Sequence, residues 1–367
     1  MDFQFSEDQR AFADMAQGLF ADFCSDEQLR KHDVSGAPFM HDLWQQCVAA
    51  GLHTMILSEA DGGLGLGMTE LLAVLEQQGR ALALVPLWEQ QVAAAALARF
   101  APQASADALA QALAGQPLAL SLAALSASRG PALQVRDGQL LGLAPAVALA
   151  GQASFALLAA DDAGSLRLAL VDLSQPAVRL ETGLSQHHLG LADVHCDAAA
   201  VLALLPVEAT VWVEQRAIAA LAALQLGVTE QQLRRTVEYV SERKQFDRVI
   251  GSFQLVAGQM ADGYIALEAL RSSLSQLVYR LDAGLGCEPQ ALATRTLSND
   301  TGHRVGHMAQ HVHGGIGVDL TYPIHRFLYW SRALGSTLGG TEQHLEKLGN
   351  WLADNDTLGW KYDLAEN

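Results

Sequence analysis

Apolar positions along this chain change their spacing twice. From residue 1 to about 117 they recur at three and four, as in "RAFADMAQGLFADF" and "MTELLAVLEQQGRALALV". That is the period of an amphipathic helix. Ser6 followed three positions later by Gln9 makes a capping box and predicts a helix start. Gly79 interrupts the second run and is its weakest point, because glycine lowers helix stability. Between the runs lies "SEADGGLGLG", a connection that cannot continue a helix. Its glycines also resemble a phosphate loop, although no strand clearly precedes it.

From about 118 to 205 the runs shorten and alternate: "LALSLAAL", "ALQVRDGQLLGL", "SFALLAAD", "LRLALVDL". Asp137-Gly138 between two such runs predicts a hairpin turn. A small antiparallel β domain is expected here. From about 206 onward helical spacing returns. Leu267, Leu270, Leu274, Leu277, Val278 and Leu281 line one face of "IALEALRSSLSQLVYRL", the pattern of a helix bundle. The expected fold class is mainly α with a small β domain. The expected regions are a helical domain over 1–117, a β domain over 118–205 and a helical bundle over 206–367.

Composition narrows the function. Half of the 367 residues are apolar and 17% are charged, which excludes a disordered chain. A formal charge of -17 argues against nucleic acid and against an anionic membrane surface, since both require a basic face. Cys24, Cys47, Cys196 and Cys287 are widely spaced with no C-x-x-C pair. They fit a reduced compartment better than a zinc ribbon or a disulfide framework. The start "MDFQFSEDQRAF" has neither a basic nor an apolar leader region, and no apolar run is long enough to span a bilayer. A cytoplasmic location is expected.

Candidate chemistry concentrates late in the chain. In "YVSERKQFDRVIGSFQ", Arg243, Lys244 and Arg248 follow Arg234 and Arg235 and make a basic cluster in an acidic protein. Such a cluster suits a phosphate or pyrophosphate, and equally a solvated helix end. Phe246 could lie against a flat heterocycle. "QHVHGGIGVDLTYPIHRFLYW" places Gly314-Gly315 and a proline turn inside a helical region, which implies close approach by something with no room for a side chain. His303, His307 and His311 recur every fourth residue with His313 beyond. That stripe could face a metal, but no carboxylate joins it at H-E-x-x-H spacing and no metal is expected.

"ERKQFDRVIGSFQ", "QHVHGGIG", "YPIHRF" and "LGGTEQ" together resemble, in order, motifs of the acyl-CoA dehydrogenase family. "SEADGGLGLGMTELLAVLEQQGRALALVPL" resembles that family's N-terminal helical domain, with Ser58 where a proline is usual. The resemblance implies an N-terminal helical domain, a middle antiparallel β-barrel and a C-terminal four-helix bundle. It also implies FAD as cofactor, α,β-desaturation of an acyl-CoA, and electron-transfer flavoprotein as acceptor. Arg243, Phe246, Gln254, Gln310, Gly314 and Gly315 would hold the FAD nucleotide arm, in the family that of a neighbouring subunit. Thr341 and Gln343 match the family's "G-T-x-Q".

The departures are specific. The middle region reads "LSLAALSASRG" and "LLGLAPAVALAGQA" where the family carries a "T-E-P" motif and a Trp-Ile-Thr-like strand against the flavin ring. Gly339 stands where many members place the catalytic Glu. Glu214, with Arg216, resembles the alternative base pair on the preceding helix, set a couple of positions early. It is either that base or an ordinary helix-surface carboxylate. The chain resembles the short, motif-poor subunit of α2β2 dehydrogenases acting on steroid side-chain CoA thioesters. This implies a second, motif-complete chain as partner. A self-sufficient homo-oligomer using Glu214 and a non-catalytic scaffold or acyl-thioester-binding protein are the alternatives.

Overall fold

The computed structural model describes residues 6–126 and 132–355. The chain opens with α1 (Glu7–Phe23), α2 (Asp26–Ser35), α3 (His41–Ala49), α4 (Met68–Ala81), α5 (Leu87–Phe100) and α6 (Ala106–Leu113). The expected capping box is formed. Ser6 Oγ accepts from the Gln9 amide at 3.2 Å, and Gln9 Oε1 accepts from the Ser6 amide at 2.9 Å.

The β region comprises β1 (Leu118–Ser121), β2 (Leu133–Arg136), β3 (Gln139–Ala148), β4 (Phe155–Asp162), β5 (Ser165–Asp172), β6 (Val178–Leu184) and β7 (Gly190–Leu204). Pairing runs β4–β2–β3–β7–β5 and returns to β4, so the sheet closes into a small barrel. Asp137 and Gly138, at φ 50° and 74°, make the β2–β3 turn, as a type I′ hairpin requires. The barrel is not wholly antiparallel: β1 and β2 both pair with β4 in parallel. Alternation fixes which side chains face inward but not the strand's partner, so the sequence pattern could not reveal this. Leu133, Leu140, Leu158, Val171 and Val194 fill the interior, with Ala156, Ala160 and Ala169 between them. Those alanines dilute the β signal of the sequence while suiting a narrow barrel.

The remainder is α7 (Val207–Glu242), a hairpin of β8 (Lys244–Gln245) and β9 (Arg248–Val249), α8 (Gln254–Asp282), α9 (Glu288–His313), α10 (Ile324–Ser336) and α11 (Thr341–Asp354). Leu267, Leu270, Leu274, Leu277 and Leu281 of α8 are buried, and Val278 is half-buried. None of the four cysteines forms a disulfide. No helix among the described residues is long and apolar enough to cross a membrane.

The N-terminal helices dock on α7 through an unusually close crossing. A Cβ added at Gly79 would lie 2.2 Å from the Leu224 carbonyl oxygen, and one at Gly227 would lie 2.0 Å from that of Glu76. Gly79 is therefore what lets α4 reach α7, and its local cost in helix stability is offset by that contact. Beside the crossing, Arg80 lies 2.6 Å from both Glu76 and Glu230, and Arg271 bridges the same two acids at 3.2 and 2.8 Å. This network ties α4, α7 and α8 together.

The glycine-rich stretch before α4 also has a structural role. Asp282 of α8 accepts from the Met68 and Thr69 amides at 2.7 and 3.0 Å and from Thr69 Oγ1 at 2.5 Å. A carboxylate of the chain itself thus occupies the anion-binding start of α4.

Candidate functional site

The residues of the expected nucleotide arm gather at one end of the bundle. Arg243 caps the C-terminus of α7, its amide donating to the Tyr239 carbonyl at 2.9 Å. The Tyr239 ring stacks on His313 at 4.2 Å, directly before Gly314 at the end of α9. Gln254 opens α8 at the foot of the β8–β9 hairpin. Phe246 and Asp247 form the tip of that hairpin, both at positive φ (53° and 61°), so Asp247 adopts a conformation that favours glycine.

This rim faces outward. Phe246 is 87% exposed, and Arg243, Gln254, Gly314 and Gly315 are exposed with it. The Arg243 guanidinium takes no side-chain partner among the described residues. A Cβ at Gly314 or Gly315 would meet nothing within 4 Å. Gly314 needs its φ of +61°, but the glycine with no room inside the chain is Gly317, whose Cβ would lie 3.0 Å from Gln310 Oε1. The Gln310 carboxamide is tucked beneath this turn, and its buried Nε2 lacks a partner. Free cation, exposed ring, open glycines and an orphaned amide donor suit a phosphate-bearing nucleotide.

The basic cluster read from the sequence divides. Arg234 pairs with Glu238 at 2.5 Å and Arg235 with Asp26 at 3.0 Å, whereas Arg248 lies 3.9 Å over the Phe253 ring. Neighbours along a helix need not share a face, so only the hairpin end remains open to an anion. Of the histidine stripe, His303, His307 and His311 are exposed and His313 is buried. Burial holds the His313 imidazole below its ordinary value.

Thr341 and Gln343 lie elsewhere, at the start of α11. There the Asn299 amide donates to the Gly339 carbonyl at 3.2 Å. Asn299 and His313 are both on α9, fourteen residues apart and so separated by about 21 Å along the helix. The structure therefore distributes the expected cofactor residues over two places. Gly339 has φ +83°, and a Cβ on it would fall 2.0 Å from Gln343 Oε1. The residue before this Gly-Thr pair thus has no side chain, and its positive φ disfavours one.

Glu214 sits on a continuous α7, with no inserted turn to move it forward. Lys347 of α11 donates to its Oε1 at 3.1 Å and also reaches the Leu125 carbonyl at 3.4 Å. Glu214 lines a cavity between α7, α9 and α11 together with Trp351 and Asn350. It does not line the cleft where the three regions meet.

That cleft, about 440 Å³, is bounded by α4, α5, the end of β1, the β6–β7 loop, α7 and α10. β1 and the turn after it contribute Leu120, Ser121, Leu122 and Ala123 to its wall. The "SASRG" end of this stretch falls mostly outside the described residues. Glu89, in the first turn of α5, is the one carboxylate among the lining residues described. Burial pushes it up to about 8. Half-buried His187 lines the same cleft 5.4 Å from the Trp330 ring, and burial pushes its imidazole down to about 4. The sequence reading missed Glu89. Its only signal was an acid within the first turn of an alanine-rich helix.

Residues 6–116 match the acyl-CoA dehydrogenase N-terminal domain and residues 215–353 the acyl-CoA dehydrogenase C-terminal domain. Acyl-CoA dehydrogenase FadE27 of Mycobacterium tuberculosis is 33% identical over 372 residues, covering 96% of this chain and 99% of that protein. FadE28 of the same organism is 28% identical, covering 95% of this chain and 98% of its own. Among solved structures, a chain of the ChsE4–ChsE5 complex from Mycobacterium tuberculosis superposes with a TM-score of 0.89 at 31% identity, covering 97% of this chain and 100% of that one. A chain from a variant of the Tcur3481–Tcur3483 steroid ACAD gives 0.88 at 35% identity, covering 95% and 98%. The chain belongs to the acyl-CoA dehydrogenase family of FAD-dependent oxidoreductases.

Proposed function

We propose that this chain is one subunit of a hetero-oligomeric acyl-CoA dehydrogenase and lends its exposed rim to the FAD of a partner chain. The partner supplies the isoalloxazine pocket and the catalytic carboxylate. The carrying observation is the rim itself. Arg243, Phe246, Gln254, Gly314 and Gly315 are exposed, and none of them lines the chain's own cleft. When bound, FAD accepts the hydride from the acyl Cβ, and holding its ring against the thioester is a large part of catalysis. This chain's part is to fix the nucleotide arm. The Arg243 guanidinium would face the pyrophosphate, Phe246 the heterocycle, and Gln310 with the Gly314–Gly315 turn would close over the arm.

Further support comes from what the cleft lacks. Its β1 wall offers a single hydroxyl, Ser121, among apolar side chains, Gly339 carries no side chain that could act as base, and Glu214 is engaged by Lys347. The substrate proposed is a bulky acyl-CoA, steroid side chains included, because one of the two similar structures is that of a steroid ACAD. Electron-transfer flavoprotein is proposed as acceptor. Arg243→Ala in this chain, coexpressed with a motif-complete dehydrogenase chain, tests the assignment. Flavin content of the purified complex should fall at least about tenfold, as expected for a lost charge-assisted contact. Unchanged flavin content would reject it.

A further inference from the structure

Arg295, two turns into α9, is 0% exposed and is the most deeply buried of the charged side chains among the described residues. Its Nη2 donates to the Leu334 and Gly335 carbonyls at 2.7 and 3.3 Å. Nε and Nη1 stay buried without a hydrogen-bond partner. No carboxylate among the described residues pairs with this guanidinium: burial pushes it down to about 10, and no acid acts the other way. Arg326, which is nearly as buried, has the usual remedy, an ion pair with Asp33 at 2.7 Å. A charge taken out of water without a counter-charge costs far more than a neutral polar group does. The cost falls only if a negative charge comes from elsewhere.

The groups around Arg295 are neutral, and they are incomplete in the same place. Ser298 and Asn299, one turn further along α9, are buried, and so is His344 of α11. Asn299 Nδ2 donates to the Gly339 carbonyl at 3.2 Å, and His344 Nε2 to that of Leu338 at 2.7 Å. With Arg295 they hold the segment from Leu334 to Gly339, where α10 turns into α11. Burial and, to a smaller extent, the nearby Arg295 charge push the His344 imidazole down to about 4. Ser298 Oγ, Asn299 Oδ1 and His344 Nδ1 are left buried without partners. Buried unpaired polar atoms are uncommon, and these belong to side chains gathered around one turn. Room exists beside them, since a Cβ placed on Gly335 would meet only Asn299 Oδ1, at 3.9 Å.

We propose that Arg295 holds one small monovalent anion of the halide class inside the bundle, with Ser298 Oγ as a second donor. The charge follows from the donors: one guanidinium among neutral groups matches one negative charge and not two. The size follows from burial, because every contributing side chain is enclosed. Asn299 Oδ1 and His344 Nδ1 are acceptors, the imidazole proton being the one given to Leu338. They suit a water of the anion's shell rather than the anion itself. The bound ion ties α9 to the α10–α11 turn, and so to Thr341 at the start of α11. Nothing in this inference depends on FAD or on the subunit reading.

The test uses the full chain, alone and in complex with its partner, with halides as probes. At constant ionic strength, chloride replaces gluconate, which is too large to enter. The melting temperature should rise by about 2 °C for each tenfold increase in chloride above the dissociation constant, as linkage to one site requires. Arg295→Met, which fills much of the same space without charge, should abolish that dependence. Ser298→Ala should keep it but move its onset to roughly tenfold higher chloride, the worth of one hydrogen bond. Crystals grown in bromide should show an anomalous peak beside Arg295, a readout that stands even if Arg295→Met fails to fold. Equal melting in chloride and gluconate, a dependence that survives Arg295→Met, or an anomalous map empty at Arg295 would overturn the inference. A bromide peak without chloride-dependent melting is binding at crystal concentration only and overturns it as well. The subunit reading is judged separately, by flavin content, which none of these outcomes decides.

Discussion

Two pairs of glycines in this chain do opposite things. At Gly79 and Gly227 the missing side chain is replaced by the chain's own backbone, with carbonyl oxygens 2.2 and 2.0 Å from where a Cβ would stand. At Gly314 and Gly315 the same space is open. The first pair belongs to folding, because it lets α4 and α7 cross. The second pair presents bare backbone to the outside, as do exposed Phe246 and Arg243, the latter without a side-chain partner among the described residues. A glycine whose vacancy the fold fills is a packing device, whereas one whose vacancy stays open points to a partner or ligand.

Substitution separates the two sharply. Gly227→Ala forces α4 and α7 apart and should destabilise the chain by about 3 kcal/mol or prevent folding, the upper range for overpacking a core. Thermal unfolding of the isolated chain measures it. Gly315→Ala should change chain stability by less than about 0.5 kcal/mol, as for an exposed site, yet lower the flavin content of the partnered complex. A Gly315→Ala variant that unfolds easily, or a Gly227→Ala variant as stable as the parent, would dissolve the distinction.

The cleft and the rim also differ in their response to pH. Glu89 is raised from 4.5 to about 8 in the folded chain, so the folded state binds the extra proton. Its contribution is fully present below pH 4.5 and is lost as pH rises through 8. Melting temperatures should therefore move in favour of Glu89→Gln across that interval. His344 is lowered by burial from 6.5 to about 4. Here the unfolded chain binds more protons, and stability falls as pH drops from 6.5 toward 4. His344→Gln should flatten that acidic limb. The smallest effect is expected at Glu214. Its pair with Lys347 is partly exposed, so Glu214→Gln should cost no more than about 1 kcal/mol and leave turnover of the complex unchanged. Loss of turnover there would restore Glu214 as a base.

The fold class was legible because the apolar period switches from helical to alternating and back, and because local signals such as the Ser6–Gln9 box and the Asp137-Gly138 turn act over three residues or fewer. What required the structure depends on remote contacts. Gly79 reads as a helix defect until Leu224 appears opposite it. The glycines before α4 read as a phosphate loop until Asp282, more than two hundred residues later, fills the helix start. Arg234 and Arg235 read as part of the Arg243 cluster until Glu238 and Asp26 claim them. The residues proposed for the nucleotide arm were picked out by their ordered motifs, and what the structure adds is their exposure. Glu89 had no motif, since a buried acid is recognised only once its surroundings are known.

The central claim is that this chain grips the nucleotide arm of a flavin whose ring lies in another chain's pocket. Flavin absorbance per polypeptide, measured on the chain purified alone and again after coexpression with a motif-complete partner, tests it most directly. The account expects a colourless chain alone and one flavin for each pair of chains in the complex. A full complement of flavin on the solitary chain, with turnover of an acyl-CoA, would contradict it.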